Sequence, residues 1–185
     1  MVLVRHGETE WSRVGRHTST TDLPLTEAGR LAAIGLRPNL VRRKFALVLT
    51  SPMQRARETA ALAGFSRAEV YEDLCEWDYG DDEGRTSAEI VEDRPGWSVW
   101  STGPKNGEPI EHVAERADRV IDHALGAGDD VLLFAHGHIL RILTARWLDM
   151  EPEAGKRFFL ATGEPCRLGW EHDYRVLEQW NCYAD

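Results

Sequence analysis

Residues 2–8 read Val2-Leu3-Val4-Arg5-His6-Gly7-Glu8. Three consecutive apolar residues, two of them β-branched, predict a short strand buried on both faces, as in a parallel sheet. The strand then stops on a guanidinium, an imidazole and a glycine, an ending that core packing gives no reason for. The pattern returns near the other end, where Val131-Leu132-Leu133-Phe134-Ala135 runs into His136-Gly137-His138. A lone histidine at a strand end is ordinarily a satisfied core residue. Two His-Gly corners at two buried strands read differently, because ligands in open α/β sheets sit just beyond the carboxyl ends of the strands. His6 and His136 are therefore expected to form two halves of one site.

Outward from these corners, apolar spacing and turn residues predict alternating helices and strands. Residues 8–24 form a long polar loop, of the kind that is functional in compact domains. Thr26 is a good N-cap with Glu27 just after it, so a helix is expected over 26–37, ended or kinked by Pro38. Residues 45–49 read as a second buried strand, and Pro52 suits the first turn of an Ala-rich helix over 52–63 that stops at Gly64. Val70 and Tyr71 suggest a short strand, and Glu72 to Glu83 a solvated acidic loop. Helices follow near 86–93, 110–125 and 138–149, then a hairpin of 166–170 with 176–180 at the sheet edge. The tryptophans Trp97, Trp100, Trp147, Trp170 and Trp180 read as core or lid packing. This order predicts an α/β fold, a three-layer α/β/α sandwich with a mostly parallel central sheet and an antiparallel edge strand. A length of 185 residues predicts one domain over 1–185.

A formal net charge of −9, from 31 acidic and 22 basic residues, disfavours nucleic acid as a partner. The longest apolar runs fall far short of a membrane span, and Arg5 and His6 interrupt any N-terminal apolar segment. Three cysteines without a C-x-x-C pair point to a reducing compartment. The expectation is a cytoplasmic protein with neither membrane nor nucleic-acid partner; the sequence does not speak to oligomeric state.

A third strand end adds to the first two. The strand at 45–49 leads to Ser51-Pro52-Met53-Gln54-Arg55, which sets Arg55 in the first turn of the following helix. Arg5, His6, Arg55 and His136 then converge, two permanent cations with two imidazoles. Their matching ligand is a phosphoryl group, because guanidinium forks pair bidentately with its oxygens. The helix after His136 should add its positive end at the same place. From composition alone, any carboxylate between Glu72 and Glu83 could serve as the acid.

These residues resemble the histidine phosphatases, the phosphoglycerate-mutase-like superfamily. The match rests on Leu3-Val4-Arg5-His6-Gly7-Glu8-Thr9, Leu25-Thr26-Glu27 with Gly29, Ser51-Pro52 with Arg55, Glu76 with Gly80 and Gly84, and His136-Gly137. Glu76-Trp77-Asp78-Tyr79-Gly80, the pair Trp97 and Trp100, and Ala135-His136-Gly137-His138 resemble its sedoheptulose-bisphosphatase and broad-specificity acid phosphatase branch. The resemblance implies a phosphomonoester hydrolase acting on small phosphorylated metabolites, sugar phosphates or bisphosphates, through a phosphohistidine. His6 would be the nucleophile, and Arg5, Arg55 and a protonated His136 would hold the phosphoryl oxygens. Glu76 would be the general acid and then the base for water. Ser12, His17 and Thr18 lie in the first loop, where the family contacts substrate, and Tyr79, Gly137 and His138 would line the pocket. Many relatives carry asparagine at the position of Ser12 and glycine at that of Ser19. No cofactor is implied, and no metal, because the arginines neutralise the charge.

Three rival readings bear on the same residues. His136-x-His138 with His6 and acidic neighbours could bind a divalent ion, but adjacent guanidiniums would repel it. Mutase chemistry of the same superfamily goes with a longer insertion after the acid and a tail over the pocket, neither of which is expected here. A non-catalytic phosphosugar-binding protein would not need all five catalytic positions filled.

Overall fold

The computed structural model describes residues 1–182. Strands β1 (Val2–Arg5), β2 (Leu47–Thr50), β3 (Glu69–Val70), β4 (Val131–Ala135), β5 (Pro165–Glu171) and β6 (Tyr174–Gln179) form one sheet in the order β3-β2-β4-β1-β5-β6. The first four run parallel. β5 pairs antiparallel with β1, and β6 antiparallel with β5, so a hairpin closes one side. Six α-helices accompany the sheet among the described residues: α1 (Glu10–Arg13), α2 (Glu27–Leu40), α3 (Gln54–Leu62), α4 (Ser87–Asp93), α5 (Ile110–Gly126) and α6 (Gly137–Trp147).

The three layers follow from side-chain alternation along the strands. Leu3, Leu49 and Leu133 stand side by side in register and pack against α5 and α6 residues such as Val113, Ala117, Ile139 and Leu143. Val2, Val4, Leu132 and Phe134 point to the opposite face, against Leu36 and Leu40 of α2 and Ala60 of α3. β4 is buried at all five positions, as a parallel strand between two helical layers must be. No helix of the described residues is long and apolar enough to cross a membrane.

Register also brings the corners together. Arg5 lies opposite Ala135, and Thr50 opposite Phe134. One residue further on, the His6 N–H donates to Ala135 O at 2.9 Å and the Ser51 N–H to Phe134 O at 2.9 Å. His6, Ser51 and His136 thus leave three adjacent strands at the same end.

Several boundaries differ from the sequence expectations. α2 runs through Pro38 to Leu40, because the bond lost at proline falls in the last turn and Leu36 and Leu40 are buried on the sheet. Pro52 lies two residues before α3, in the turn, where Ser51 Oγ accepts the Met53 N–H. The first polar loop contains α1, closed by a reciprocal capping box between Thr9 and Ser12. The acidic segment is not simply solvated, since Asp82 is buried and bonded to Arg94 and to the Lys105 N–H.

Two glycines allow the first corner to close against α2. A Cβ on Gly29 would stand 2.3 Å from Glu8 O, and one on Gly7 2.5 Å from Gly29 O. Both contacts are backbone, so neither can yield by a rotamer change. Gly29→Ala is therefore expected to destabilise the fold by about 1–3 kcal/mol, as overpacked cores do. At roughly 2–4 °C per kcal/mol this is a clear fall in thermal midpoint; an unchanged melt would show the contact to be soft.

Candidate active site

His6 is buried, and its Nδ1 lies 2.7 Å from the carbonyl oxygen of Gly7. A carbonyl can only accept, so Nδ1 carries the proton and Nε2 keeps its lone pair. The corner is held by the Gly7 N–H, which donates to Thr59 Oγ1 at 3.0 Å, while that hydroxyl donates to Arg55 O at 2.7 Å. Burial, then the charges of Arg5 and Arg55, push the His6 imidazole well below its ordinary pKa of 6.5.

His136 faces His6 with ring centroids 5.2 Å apart. Arg55 Nε donates to His136 Nδ1 at 3.2 Å, and His136 Nε2 lies 2.7 Å from Ser51 Oγ. Because a guanidinium nitrogen only donates, Nδ1 of His136 is unprotonated and the ring's proton sits on Nε2. Burial, Arg55 and His6 in that order push this ring well below 6.5 too. Without a bound anion His136 is therefore a neutral donor through Nε2, where the sequence led to the expectation of a protonated ring on phosphate, because burial and two guanidiniums disfavour a further charge in a site that water does not screen.

Arg55 also departs from expectation. Its side chain is fully buried behind His136, and its Nη groups donate to the carbonyls of Thr18, Ser19 and Thr21. The Glu83 carboxylate takes the N–H groups of Ser19 and Thr21 in the same loop. Guanidinium and carboxylate together grip the first loop by both backbone polarities. Arg5 is placed differently. Nη1 donates to Leu160 O at 2.7 Å, whereas Nε is buried without a partner among the described residues. An orphaned buried N–H beside a cavity is what an anion's oxygen would satisfy.

Glu76 caps α6. Its Oε1 accepts from the N–H groups of Trp77 and Ile139, at 3.0 and 2.9 Å, and Oε2 accepts from the His138 N–H at 3.0 Å. Two first-turn N–H groups of α6 are thus taken by this carboxylate rather than left for a ligand. A methyl on Gly137 would lie 3.4 Å from Arg5 Cζ and 3.6 Å from Glu76 Oε2, so this glycine sits between the guanidinium and the carboxylate.

Arg5, His6 and Glu76 border a cavity of about 590 Å³, whereas His136 and Arg55 lie buried behind its wall. Ser12, His17, Thr18, Tyr79, Gly137 and His138 all reach it, as do Arg5, His6 and Glu76. The Ser12 hydroxyl, however, is engaged at 2.9 and 3.1 Å with the backbone of Thr9, and Thr18 Oγ1 at 3.0 Å with Arg16 O. Tyr79 shares a 2.6 Å hydrogen bond with His138 Nδ1, and His17 packs on Tyr79 and Trp97. Ser19 lies outside the cavity and donates to Glu76 O at 3.3 Å. Sequence reading missed Arg141, which lines the cavity from α6 and stacks 4.5 Å over Trp100. The spacing from Gly137 to Arg141, one helical turn, was the available signal. Trp97 and Trp100, read as packing, also line the cavity. A separate apolar groove of about 400 Å³ between α2 and β5 contains none of the imidazoles.

A model of the "Histidine phosphatase superfamily (branch 1)" matches residues 1–183. An acid phosphatase of Mycobacterium tuberculosis is 40% identical over 181 residues, covering 96% of this chain and 89% of the relative. Sedoheptulose 1,7-bisphosphatase of Saccharomyces cerevisiae is 34% identical, covering 80% of this chain and 67% of the relative. Among solved structures, an open-reading-frame product of M. tuberculosis superposes with a TM-score of 0.93 at 39% identity, covering 97% of this chain and 95% of that one. A mycobacterial glucosyl-3-phosphoglycerate phosphatase gives 0.88 at 26% identity, covering 99% and 98%.

The buried imidazoles set a pH dependence. His6, His17, His136 and His138 are all lowered from 6.5, chiefly by burial. As pH falls below 6.5 the unfolded chain binds protons that the folded chain resists, so stability present above 6.5 is lost below it. The thermal midpoint should fall from about pH 7.5 to about pH 5, and His138→Gln should lower proton uptake on unfolding by about one proton. A midpoint flat across that range would contradict the neutral rings.

Proposed function

The chain belongs to the histidine phosphatase superfamily, and from that premise we propose how its residues divide the hydrolysis of a phosphomonoester. Family and phosphatase-named relatives together make it a phosphoric monoester hydrolase of phosphorylated metabolites. The observation that carries the mechanism is the His6 tautomer: Nδ1 donates to Gly7 O, and the free Nε2 belongs to a neutral ring beside two arginines.

In this reading, Nε2 of His6 attacks phosphorus in line. The bond to the ester oxygen breaks and a phosphohistidine forms. Glu76 delivers a proton to the departing oxygen, then takes one from the water that displaces phosphate from His6. The unpartnered N–H of Arg5 holds a phosphoryl oxygen, while the Nε2–H of His136, bonded to Ser51 Oγ, sets that ring beside His6. Arg55 supplies fixed positive charge behind His136 and keeps its Nε2 the protonated nitrogen. Positioned donors and charge are the main levers in phosphoryl transfer, and the two guanidiniums supply the charge a metal would otherwise bring.

Small sugar phosphates or bisphosphates fit the cavity as substrates. It is larger than one phosphate needs, and Arg141, anchored at 3.0 Å from Nε to Gly155 O, forms no ion pair among the described residues. A second anionic group on the substrate would meet that guanidinium. The chain reads as one domain, since β1 from the start of the sequence is flanked in one sheet by β4 and β5 from its last third. Unpaired Cys75, Cys166 and Cys182 suit a reducing cytoplasm.

His6→Ala should lower kcat on p-nitrophenyl phosphate at least ~10³-fold and abolish acid-labile, base-stable labelling of the protein; turnover near wild type would remove the nucleophile. Arg141→Gln should raise KM for a sugar bisphosphate about tenfold or more, with little change for p-nitrophenyl phosphate, since a lost charge-assisted bond is worth roughly 1.5–3 kcal/mol. Equal effects on both substrates would remove the second-anion role.

A further inference from the structure

Glu76 sits on a stretch with no helix or strand of its own, between the 3₁₀ turns Glu72–Leu74 and Gly80–Asp82. Its carboxylate is fixed by α6, but its backbone is fixed from another side. Arg116 of α5 donates from Nη1 to Asp73 O at 2.9 Å and Cys75 O at 2.8 Å, and from Nη2 to Glu76 O at 3.5 Å. Its remaining donors go to Glu108, Nε to Oε1 at 2.9 Å and Nη2 to Oε2 at 2.7 Å. All five guanidinium N–H groups are therefore used, and Arg116 does not line the cavity. Glu108 grips the other side of the same stretch. Its carbonyl accepts Trp77 Nε1 at 2.7 Å, its N–H donates to Asp78 O at 3.0 Å, and Oε2 accepts the Asp78 N–H at 3.4 Å. The two side chains are only 14% and 17% exposed, so water competes weakly for these bonds.

We propose that Arg116 and Glu108 are positioning residues for the general acid: the pair clamps residues 73–78 so that the Glu76 carboxylate stays aligned on the leaving-group oxygen. The fork geometry matters here. Three carbonyls and a bidentate carboxylate need five donors in one plane, which a lysine ammonium cannot supply. The clamp rests on the acid role of Glu76 given above, and it acts on proton delivery, not on binding the phosphoryl group. Its loss should therefore depend on how much the leaving group needs a proton.

The test compares phenyl phosphate, whose leaving group needs a proton, with p-nitrophenyl phosphate, which is nearly the same shape and does not. Arg116→Met should lower kcat on phenyl phosphate at least about tenfold more than on p-nitrophenyl phosphate, leaving inhibition by inorganic phosphate within about twofold. Arg116→Lys should recover little of this loss. Glu108→Gln, which keeps the shape and removes the charge, should shift the ratio in the same direction by a smaller factor, and it carries the test where Arg116→Met does not fold. Equal losses on both esters in a folded variant, or weaker phosphate binding as the main effect, would overturn the clamp. Glu76→Gln serves as reference: a flat response there would overturn the acid assignment and the clamp with it, whereas a leaving-group-dependent Glu76→Gln beside a flat Arg116→Met would overturn the clamp alone.

Discussion

A guanidinium cannot surrender its proton, so the bond from Arg55 Nε to His136 Nδ1 settles which nitrogen of that ring is bare. The opposite polarity operates at His6, where the Gly7 carbonyl demands a proton on Nδ1 and leaves Nε2 free. Two histidines with similar surroundings thereby end in opposite tautomers, one leaving Nε2 as a bare lone pair and the other giving its Nε2–H to Ser51 Oγ. Burial and the neighbouring cations keep both rings neutral, which makes the assignment stable rather than one of several protonation states. The rest of the site is arranged around preserving this pair.

Preservation is mostly a matter of backbone. The first loop is held through its carbonyls by Arg55 and through its N–H groups by Glu83. The Glu76 segment hangs on Arg116 and Glu108 and is tied back to the first loop by Ser19. Glu76 in turn caps α6, the helix that begins at His136. Each irregular segment near the cavity thus borrows rigidity from a helix or strand, which is how loop residues reach the sub-ångström placement that catalysis requires. Some buried charges are paired, as Asp82 is with Arg94 and Arg116 with Glu108, whereas Arg55 is held by backbone carbonyls and Arg5 keeps one N–H without a partner among the described residues.

The layered architecture and the strand ends were readable from local pattern. Continuous apolar runs ending in His-Gly marked β1 and β4, and alternation with helical spacing marked the layers. Errors clustered where a distant partner outweighed a local signal. Pro38 did not end α2 because the sheet buries the residues around it. The acidic stretch read as solvated, yet Asp82 is buried and Glu83 is a clamp, because their partners are Arg94 and the first-loop N–H groups, many residues away. Ser12 does line the cavity, but its hydroxyl is taken up by Thr9 in the capping box of α1, a local bond that the loop reading did not include.

What the sequence determined by itself was most of the chemical inventory and its delivery to one end of the parallel strands: two imidazoles and two guanidiniums, carried by segments whose side-chain periods force them to strand and helix ends, while the carboxylate was singled out only by the family resemblance. The tertiary structure alone decided the charge state of His136, the retreat of Arg55 behind it, the presence of Arg141 and Trp100 in the cavity, and the clamp formed by Arg116 and Glu108. The division has a physical cause. Periodicity and turn chemistry act over a few residues and are written locally, whereas burial, desolvation and hydrogen-bond polarity depend on which groups meet across the folded chain.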